Sequence, residues 1–541
     1  LLKKVLRLFH TLKFLRLRQV LWRVAYFFPR LKRQLKAQDK FEPSVATKLF
    51  IGRSGITTDF DRFTFLNETF SLSEVGWDNP NASKLWRYNL HYFEFLLDEK
   101  LSAKSKSDII AKWIQENPVG KGSGWEPYPT SLRIINWIKW YWSAGELSTE
   151  AVESLWSQAK WLTDRPEYHL LGNHLFVNAK AMIFSAGFFG LRPDDNILKL
   201  GLKILSEEIE EQFLADGSHF ELSPMYHALA MEDLIDLYNI SDLIRAELPL
   251  DTIRDKIRKG LFWLEQFTYT NDELAHFNDC SNGIAPTLVR LKSYADGLGI
   301  QFRIIDPNEL SDFNKSGYIV LHNANIHLIA DCGNIGPDYL PGHGHADTLS
   351  FEFAIRGNRV IVNTGTGEYG NSVERLRQRG TSAHSTIEVD GYDSSEVWSG
   401  FRVARRARIL NKEIETMADN IRFKASHNGY LRLKNGAVHS REWTISSGNC
   451  RINDYVSGAK NKVVSRFYLH PDLEMEVNNQ SVILKKGGTN LAEIQCNRDF
   501  ELVQSVYFDR FGVKRNNSCI LLRGATPFSS SLTIRWFKCA E

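Results

Sequence analysis

The runs Tyr318-Ile-Val-Leu321, Ile326-His-Leu-Ile-Ala330, Leu349-Ser-Phe-Glu-Phe-Ala-Ile355 and Val360-Ile-Val362 follow one another within the span 318–362. Each is too short for a helix and rich in β-branched or aromatic side chains, so each predicts a β-strand. Arg356-Gly357-Asn358 between the last two supplies hairpin chemistry. Similar short runs continue as far as Ile534, Arg535 and Trp536, so the half of the chain after about Asp312 reads as a β-sandwich.

Towards the N-terminus the period changes. From about Ser83 to Gly299 apolar residues recur at helical spacing, as in Leu85, Tyr88, Tyr92, Phe95 and Leu96, or Leu132, Ile135, Trp137, Ile138 and Tyr141. Further helices are expected over 150–162, 174–188, 196–213, 225–238 and 252–267, with Gly, Pro, Asn or Asp at the breaks. Antiparallel helix pairs of this length suggest a helical toroid or solenoid. The predicted fold class is α+β multidomain. A basic amphipathic segment (1–40) precedes an (α/α) toroid domain (41–305) and a β-sandwich domain (306–541).

A chain of 541 residues is long enough for two large cores. Its 67 basic and 64 acidic residues leave a net charge of +3, too balanced for a general nucleic-acid binder, so any polyanion must be met locally. The six cysteines lack CxxC spacing, which argues against a zinc knuckle or a dense disulfide framework. The first 40 residues carry Lys and Arg between Leu, Phe, Val and Trp, without an apolar run of membrane-spanning length. Lys13, Arg16 and Arg18 interrupt the apolar core that a standard signal peptide needs, so the compartment stays open. The segment reads as a basic amphipathic helix that either touches an anionic membrane or packs on the body.

Three stretches could carry chemistry: Leu171-Gly-Asn173-His174, Ser223-Pro-Met-Tyr226-His227 and Gly342-His343-Gly-His345-Ala-Asp347. The first two fall at helix starts and the third precedes a strand, so a cleft between the domains could unite them. Their order, followed by Arg379-Gly-Thr-Ser-Ala-His384 and Val389-Asp-Gly-Tyr-Asp393, resembles the heparinase II/III-like polysaccharide lyase family over most of the chain. That resemblance implies an (α/α) toroid followed by a β-sandwich. It also implies cleavage of a uronic-acid-containing chain, glycosaminoglycan-like or a bacterial exopolysaccharide, by β-elimination.

Removing the C5 proton of a uronate spreads charge into a carboxylate that is already anionic. By resemblance Asn173, assisted by His174, would donate hydrogen bonds to that carboxylate. Tyr226 and His343 would handle the two protons, in roles that depend on the uronate epimer. The family also implies a structural zinc at His345, Asn363 and His384, where Asn363 replaces the usual aspartate and is the poorer ligand. A metal-free hydrogen-bonded cluster is the alternative, and no organic cofactor is implied. Trp125, Glu126 and Tyr128 on an expected loop, with Arg133 and Arg379, are candidates to line an anionic glycan. Two Arg runs, 375–379 and 402–408, are read as strand segments that could support that contact. Two rival readings are a metal-dependent hydrolase, from the His-x-His pair, and a non-catalytic glycan-binding or assembly protein.

Overall fold

Ser83, Ser102, Ser148, Asp195 and Ser223 each stand one residue before a helix, and each side chain accepts a hydrogen bond from a first-turn backbone N–H. These caps satisfy donors that the helix itself leaves free, so the sequence sets the helix starts locally. The computed structural model describes residues 2–27, 43–143, 145–302, 310–417, 420–478 and 480–538. The capped helices are Lys84–Tyr92, Ala103–Glu116, Thr149–Thr163, Asn196–Gln212 and Pro224–Asn239. Pro127–Trp142, Gly172–Phe189, Leu250–Gln266 and Leu288–Gly297 complete the main part of the helical domain.

Gly172–Phe189 is buried on nearly every face, as expected of a helix that is apolar all round. It packs against Pro127–Trp142, Thr149–Thr163 and Asn196–Gln212. Trp86, Trp113, Trp137, Trp142 and Trp263 are fully buried, so most of the tryptophan-rich first half builds core. Pro224–Asn239 is tied to its neighbours by buried ion pairs: Lys180 to Asp233 and Asp236, and Lys139 and Arg53 to Glu232. Buried pairs of this kind add little net stability, but removing one partner strands the other's charge.

The second half is a sandwich of two antiparallel sheets. Among the described residues one sheet runs in the order Phe500–Arg510, Val513–Ala525, Lys462–Leu469, Asn358–Val362, Phe351–Ile355, Ile326–Asp331, Tyr318–His322, Leu310–Phe313. Ile387–Val389 also pairs with Lys462–Leu469. The facing sheet runs Ile409–Thr416, Asn420–His427, His439–Ser446, Asn449–Val456, Phe528–Trp536, Thr489–Cys496, Ser481–Lys486, Glu474–Val477. Phe351, Phe353, Trp443, Phe467 and Ile520 are among the side chains that fill the space between them. The expected hairpin is present: Arg356 (φ 46°) and Gly357 (φ 77°) both adopt the left-handed conformation that a tight two-residue turn requires.

A third apolar cluster joins the domains. Leu222, Trp263, Phe267 and Phe277 from the helical side pack on Phe313, Tyr318, Val320 and Ile329 of the first sheet. This seam presents the loop that carries His343 to the helix starts that carry Asn173 and Tyr226.

The fold class is therefore a helical toroid domain followed by an antiparallel sandwich. Three local expectations differ. The hairpin Arg62–Phe65/Glu68–Ser71 lies inside the half read as helical. Arg375, Arg377 and Arg379 sit on a short helix, Val373–Arg379, rather than on a strand, because Ser372 caps it and Glu374 pairs with Arg377 along it. The N-terminal segment forms two helices, Leu2–Leu12 and Leu17–Phe27, in place of one. Residues 28–40 of that segment and the domain boundary placed at 305/306 lie outside the described residues.

Candidate active site

Leu171 (φ 64°) and Gly172 (φ 60°) are consecutive residues in the left-handed region, and they turn the chain sharply into the helix Gly172–Phe189. A Cβ on Gly172 would lie 2.5 Å from Leu340 and 2.6 Å from Glu221 Oε1, so a larger residue does not fit. Asn173 and His174 consequently occupy the first turn, where unpaired N–H groups and the helix dipole favour an anion. The backbone N–H of Asn173 already serves the buried Glu221 carboxylate. Burial pushes the Glu221 carboxyl up, against the pull of His343 and that hydrogen bond.

His174 Nδ1 lies 3.1 Å from Glu167 Oε1, and its ring packs on Tyr128 with centroids 4.3 Å apart. Glu167 is itself held by Asn178, whose Oδ1 accepts the Glu167 N–H at 2.8 Å and whose Nδ2 donates to Glu167 Oε2 at 3.1 Å. Burial disfavours the imidazolium, but the charge and hydrogen bond of Glu167 outweigh it and hold the His174 pKa above its ordinary value.

Tyr226 begins the helix Pro224–Asn239, and its N–H is capped by Ser223 Oγ at 3.3 Å. Its ring packs on His343 with centroids 3.9 Å apart, and its hydroxyl lies 3.1 Å from that of Tyr369. Burial first, then Tyr369 and the nearby carboxylates, keep this phenol neutral well beyond its usual range. His343 Nδ1 lies 2.8 Å from Asp279 Oδ2, and its Nε2 lies 3.9 Å from Glu221 Oε2, beyond hydrogen-bonding reach.

Asp279 is the hub that the sequence reading missed. It accepts from His343 Nδ1, from His345 Nε2 at 2.9 Å and from both terminal nitrogens of Arg375. Burial opposes its charge, yet Arg375 and the two imidazoles hold its carboxyl well below the usual range. An ionised carboxylate can only accept, so His343 carries its proton on Nδ1 and offers the Nε2 lone pair to the cleft. Glu167, Glu221 and Tyr369 were missed as well. An acid within an ordinary loop such as Phe277-Asn-Asp-Cys280 gives no local signal, because its role depends on partners 64 to 96 residues away.

A small cavity lined by Tyr128, Asn173, Tyr226 and Asp233, among others, connects the two helix starts. The structure thus brings Asn173, Tyr128 and Tyr226 together at the cavity, with His174 packed on Tyr128 and His343 on Tyr226. Other expected lining residues are elsewhere. Trp125 is buried in the helical core against Trp113 and Trp161, with its indole N–H donated to the Asn117 carbonyl at 3.0 Å. Arg133 is fully buried, stacked on Trp113 and bonded to Gln158 and the Gly124 carbonyl, and burial lowers its pKa strongly. Arg379 is also fully buried. Its guanidinium donates to the carbonyls of Pro341, Gly344, Ser399 and Arg402, which braces the His343 loop, and burial pushes its pKa down to about 9. Glu126 remains partly exposed, bound to Lys84 and the Tyr88 hydroxyl.

The suitability of the proposed metal ligands can be read from their free atoms. His345 Nδ1 and both ring nitrogens of His384 are buried without a hydrogen bond, and the two rings are 5.2 Å apart. Burial keeps both imidazoles neutral, with His345 pushed down to about 4 and His384 held well below its ordinary value. These two residues suit a zinc-type cation. Asn363 does not complete the set: its Oδ1 accepts the Ser385 N–H at 3.2 Å and its Nδ2 donates to Ser350 Oγ at 3.4 Å. Among the described residues no three His, Cys, Asp or Glu side chains are grouped to hold a metal. The donor set falls short of a closed site.

The chain matches the family description "Heparinase II/III N-terminus" over residues 63–297 and "Heparinase II/III-like, C-terminal" over residues 305–536. It belongs to the heparinase II/III-like family. A heparin-sulfate lyase of Bacteroides stercoris is 26% identical over 243 residues, covering 41% of this chain and 36% of that protein. The FtsZ-localized protein C of Caulobacter vibrioides is 22% identical over 498 residues, covering 85% and 82% of the two chains. The chain spans about half the length or less of the heparin-sulfate lyases it matches. A crystal structure of heparinase III is similar in fold, with a TM-score of 0.65 at 20% identity over 84% of this chain and 77% of the other.

Proposed function

We propose that this member of the heparinase II/III-like family is a polysaccharide lyase that cleaves a uronic-acid-containing chain by β-elimination. The observation that carries the reading is the packing of Tyr226 on His343 at 3.9 Å, with His343 Nδ1 committed to Asp279. His343 Nε2 is the base that takes the C5 proton. The C4–O bond breaks, its electrons leave with the glycosidic oxygen, and the C5 carbanion closes to a C4=C5 double bond. The neutral Tyr226 phenol gives its proton to the departing oxygen. Asn173 and the His174 cation, at a helix N-terminus, neutralise the uronate carboxylate as its charge grows. Arg375 and Arg379 are spent on Asp279 and on backbone carbonyls, so they add no substrate contact.

The test is a panel of heparan sulfate, hyaluronan, alginate and glucuronan-type polymers, read for ultraviolet absorbance from new double bonds. Unsaturated products that vanish in Tyr226→Phe support the lyase. Release of reducing ends without absorbance would mean hydrolysis, and neither signal with any polymer sinks the enzymatic reading. A second reading is a non-catalytic glycan-binding or assembly protein, kept because the relative matched over most of both chains, FtsZ-localized protein C, is named for where it localises and not for a lyase activity. Glycan binding without turnover would select it.

A further inference from the structure

The two N-terminal helices dock largely through polar side chains, with Trp22 of the second helix also packed on Tyr168. On Leu2–Leu12, Arg7 pairs with Glu396 at 3.2 Å and Thr11 Oγ1 accepts the Trp398 indole N–H at 3.1 Å. On Leu17–Phe27, Arg18 pairs with Glu207 at 3.0 Å and covers the Tyr168 ring, and Gln19 donates to the Tyr339 carbonyl at 3.3 Å. Arg16, between the helices, stacks on the Tyr339 ring at 3.7 Å. The partners belong to both domains, so the pair straps the toroid to the sandwich.

The apolar faces point the other way. Val5, Phe9 and Leu12 on the first helix and Leu17, Leu21 and Val24 on the second are each between 48 and 72% exposed. Single exposed apolar residues are ordinary, but repeated ones at helical spacing on consecutive helices leave two unpartnered faces. Around them the sequence is strongly basic: residues 1–40 hold twelve Lys or Arg and one acid, Asp39. Neither helix is long enough to cross a membrane, each being 11 residues. Apolar side chains outward, short length and a surplus of positive charge are the chemistry of a helix that lies in the headgroup layer of an anionic bilayer.

We propose that this helix pair docks the protein onto an anionic lipid surface, with its apolar faces inserted and its polar faces kept on the body. The test is co-sedimentation of the full chain with phosphatidylcholine vesicles, with and without phosphatidylglycerol. At least about tenfold stronger binding to the anionic vesicles is expected, weakened by salt. Phe9→Glu/Leu21→Glu should abolish it while the melting temperature and the turnover of soluble substrate stay unchanged, since both side chains are exposed and project from the body. Protein left in the supernatant with anionic vesicles, equal binding to neutral ones, or unaltered binding by the double variant would overturn the proposal. So would a concentration-dependent dimer dissociated by the same substitutions, which would assign the faces to a second copy. Lys4→Glu/Lys13→Glu, which leaves the apolar faces intact, should also weaken anionic binding, and no change there would overturn the charge argument.

Discussion

His343 and His345 donate to opposite oxygens of one carboxylate, Asp279, at 2.8 and 2.9 Å, and Arg375 closes the same carboxylate from its other side. A single buried acid from the helical half thereby fixes the tautomer of a base that comes from the sandwich half.

Asp279→Asn should therefore cost turnover chiefly in kcat. An amide can meet His343 through its N–H as well as its oxygen, so the Nδ1–H tautomer is no longer enforced. A kcat loss of about 10²-fold or more with a small change in KM is expected, in the range of general base contributions. Arg375 would also lose its charge partner, which costs about 3–5 kcal/mol of stability and shows as a lower melting temperature. Full kcat in a folded Asp279→Asn protein would remove Asp279 from the mechanism.

Tyr226→Phe deletes one hydroxyl and keeps the ring that packs on His343. Turnover should fall by about 10²–10⁴-fold while glycan affinity, measured by calorimetry, stays nearly constant. Asn173→Ala should lose both turnover and affinity, because the amide meets a carboxylate already present in the ground state. A Tyr226→Phe protein with more than half the wild-type rate would leave His343 needing another acid.

The Glu167–His174 pair predicts a pH effect with a definite sign. Glu167 holds the His174 pKa above its ordinary value, so the cation persists to higher pH than it would without Glu167 and is lost as pH rises through that raised pKa. The alkaline limb of kcat/KM should move to lower pH in Glu167→Gln, where burial is no longer outweighed by the Glu167 charge. The pair's contribution to stability follows the same sign. It is complete below the unfolded His pKa and disappears as pH rises past the folded one. An alkaline limb unmoved by Glu167→Gln would show that His174 does not set it.

Asn363→Asp should turn an incomplete set of metal donors into a complete one. The wild-type protein, with a free Nδ1 on His345, both ring nitrogens of His384 free and an amide engaged by Ser385 and Ser350, should keep less than stoichiometric zinc after dialysis. The aspartate variant should keep about one zinc per chain by elemental analysis, with a raised melting temperature, because a ligand that binds only the folded state stabilises it. Equal zinc in both proteins would refute the argument from the amide.

Much of this was legible along the chain because its causes are local. The change from helical to strand-length apolar runs separates the two halves, Arg356-Gly357 writes its own hairpin turn, and Ser223 caps the helix on which Tyr226 rides. The order of Asn173, His174, Tyr226 and His343 marks one neighbourhood through its resemblance to a family. Trp125, Arg133 and Arg379 went the other way. As residue types they suit a sugar or an anion, but the fold buries each of them and spends its donors on Asn117, Gly124 and Gly344.

The sequence by itself determined most of the helices and strands and their order, since caps, turns and periodicity act within a few positions, and its resemblance to a family named the candidates for proton transfer. Only the tertiary structure decided which acid serves which base. Asp279 reaches His343, His345 and Arg375 because the seam of Leu222, Trp263 and Phe267 against Tyr318 and Ile329 sets one domain on the other. Packing there brings Arg375 and the two imidazoles onto Asp279 and holds its carboxyl below the usual range against the effect of burial, and that packing depends on the whole fold, which no local stretch of sequence encodes.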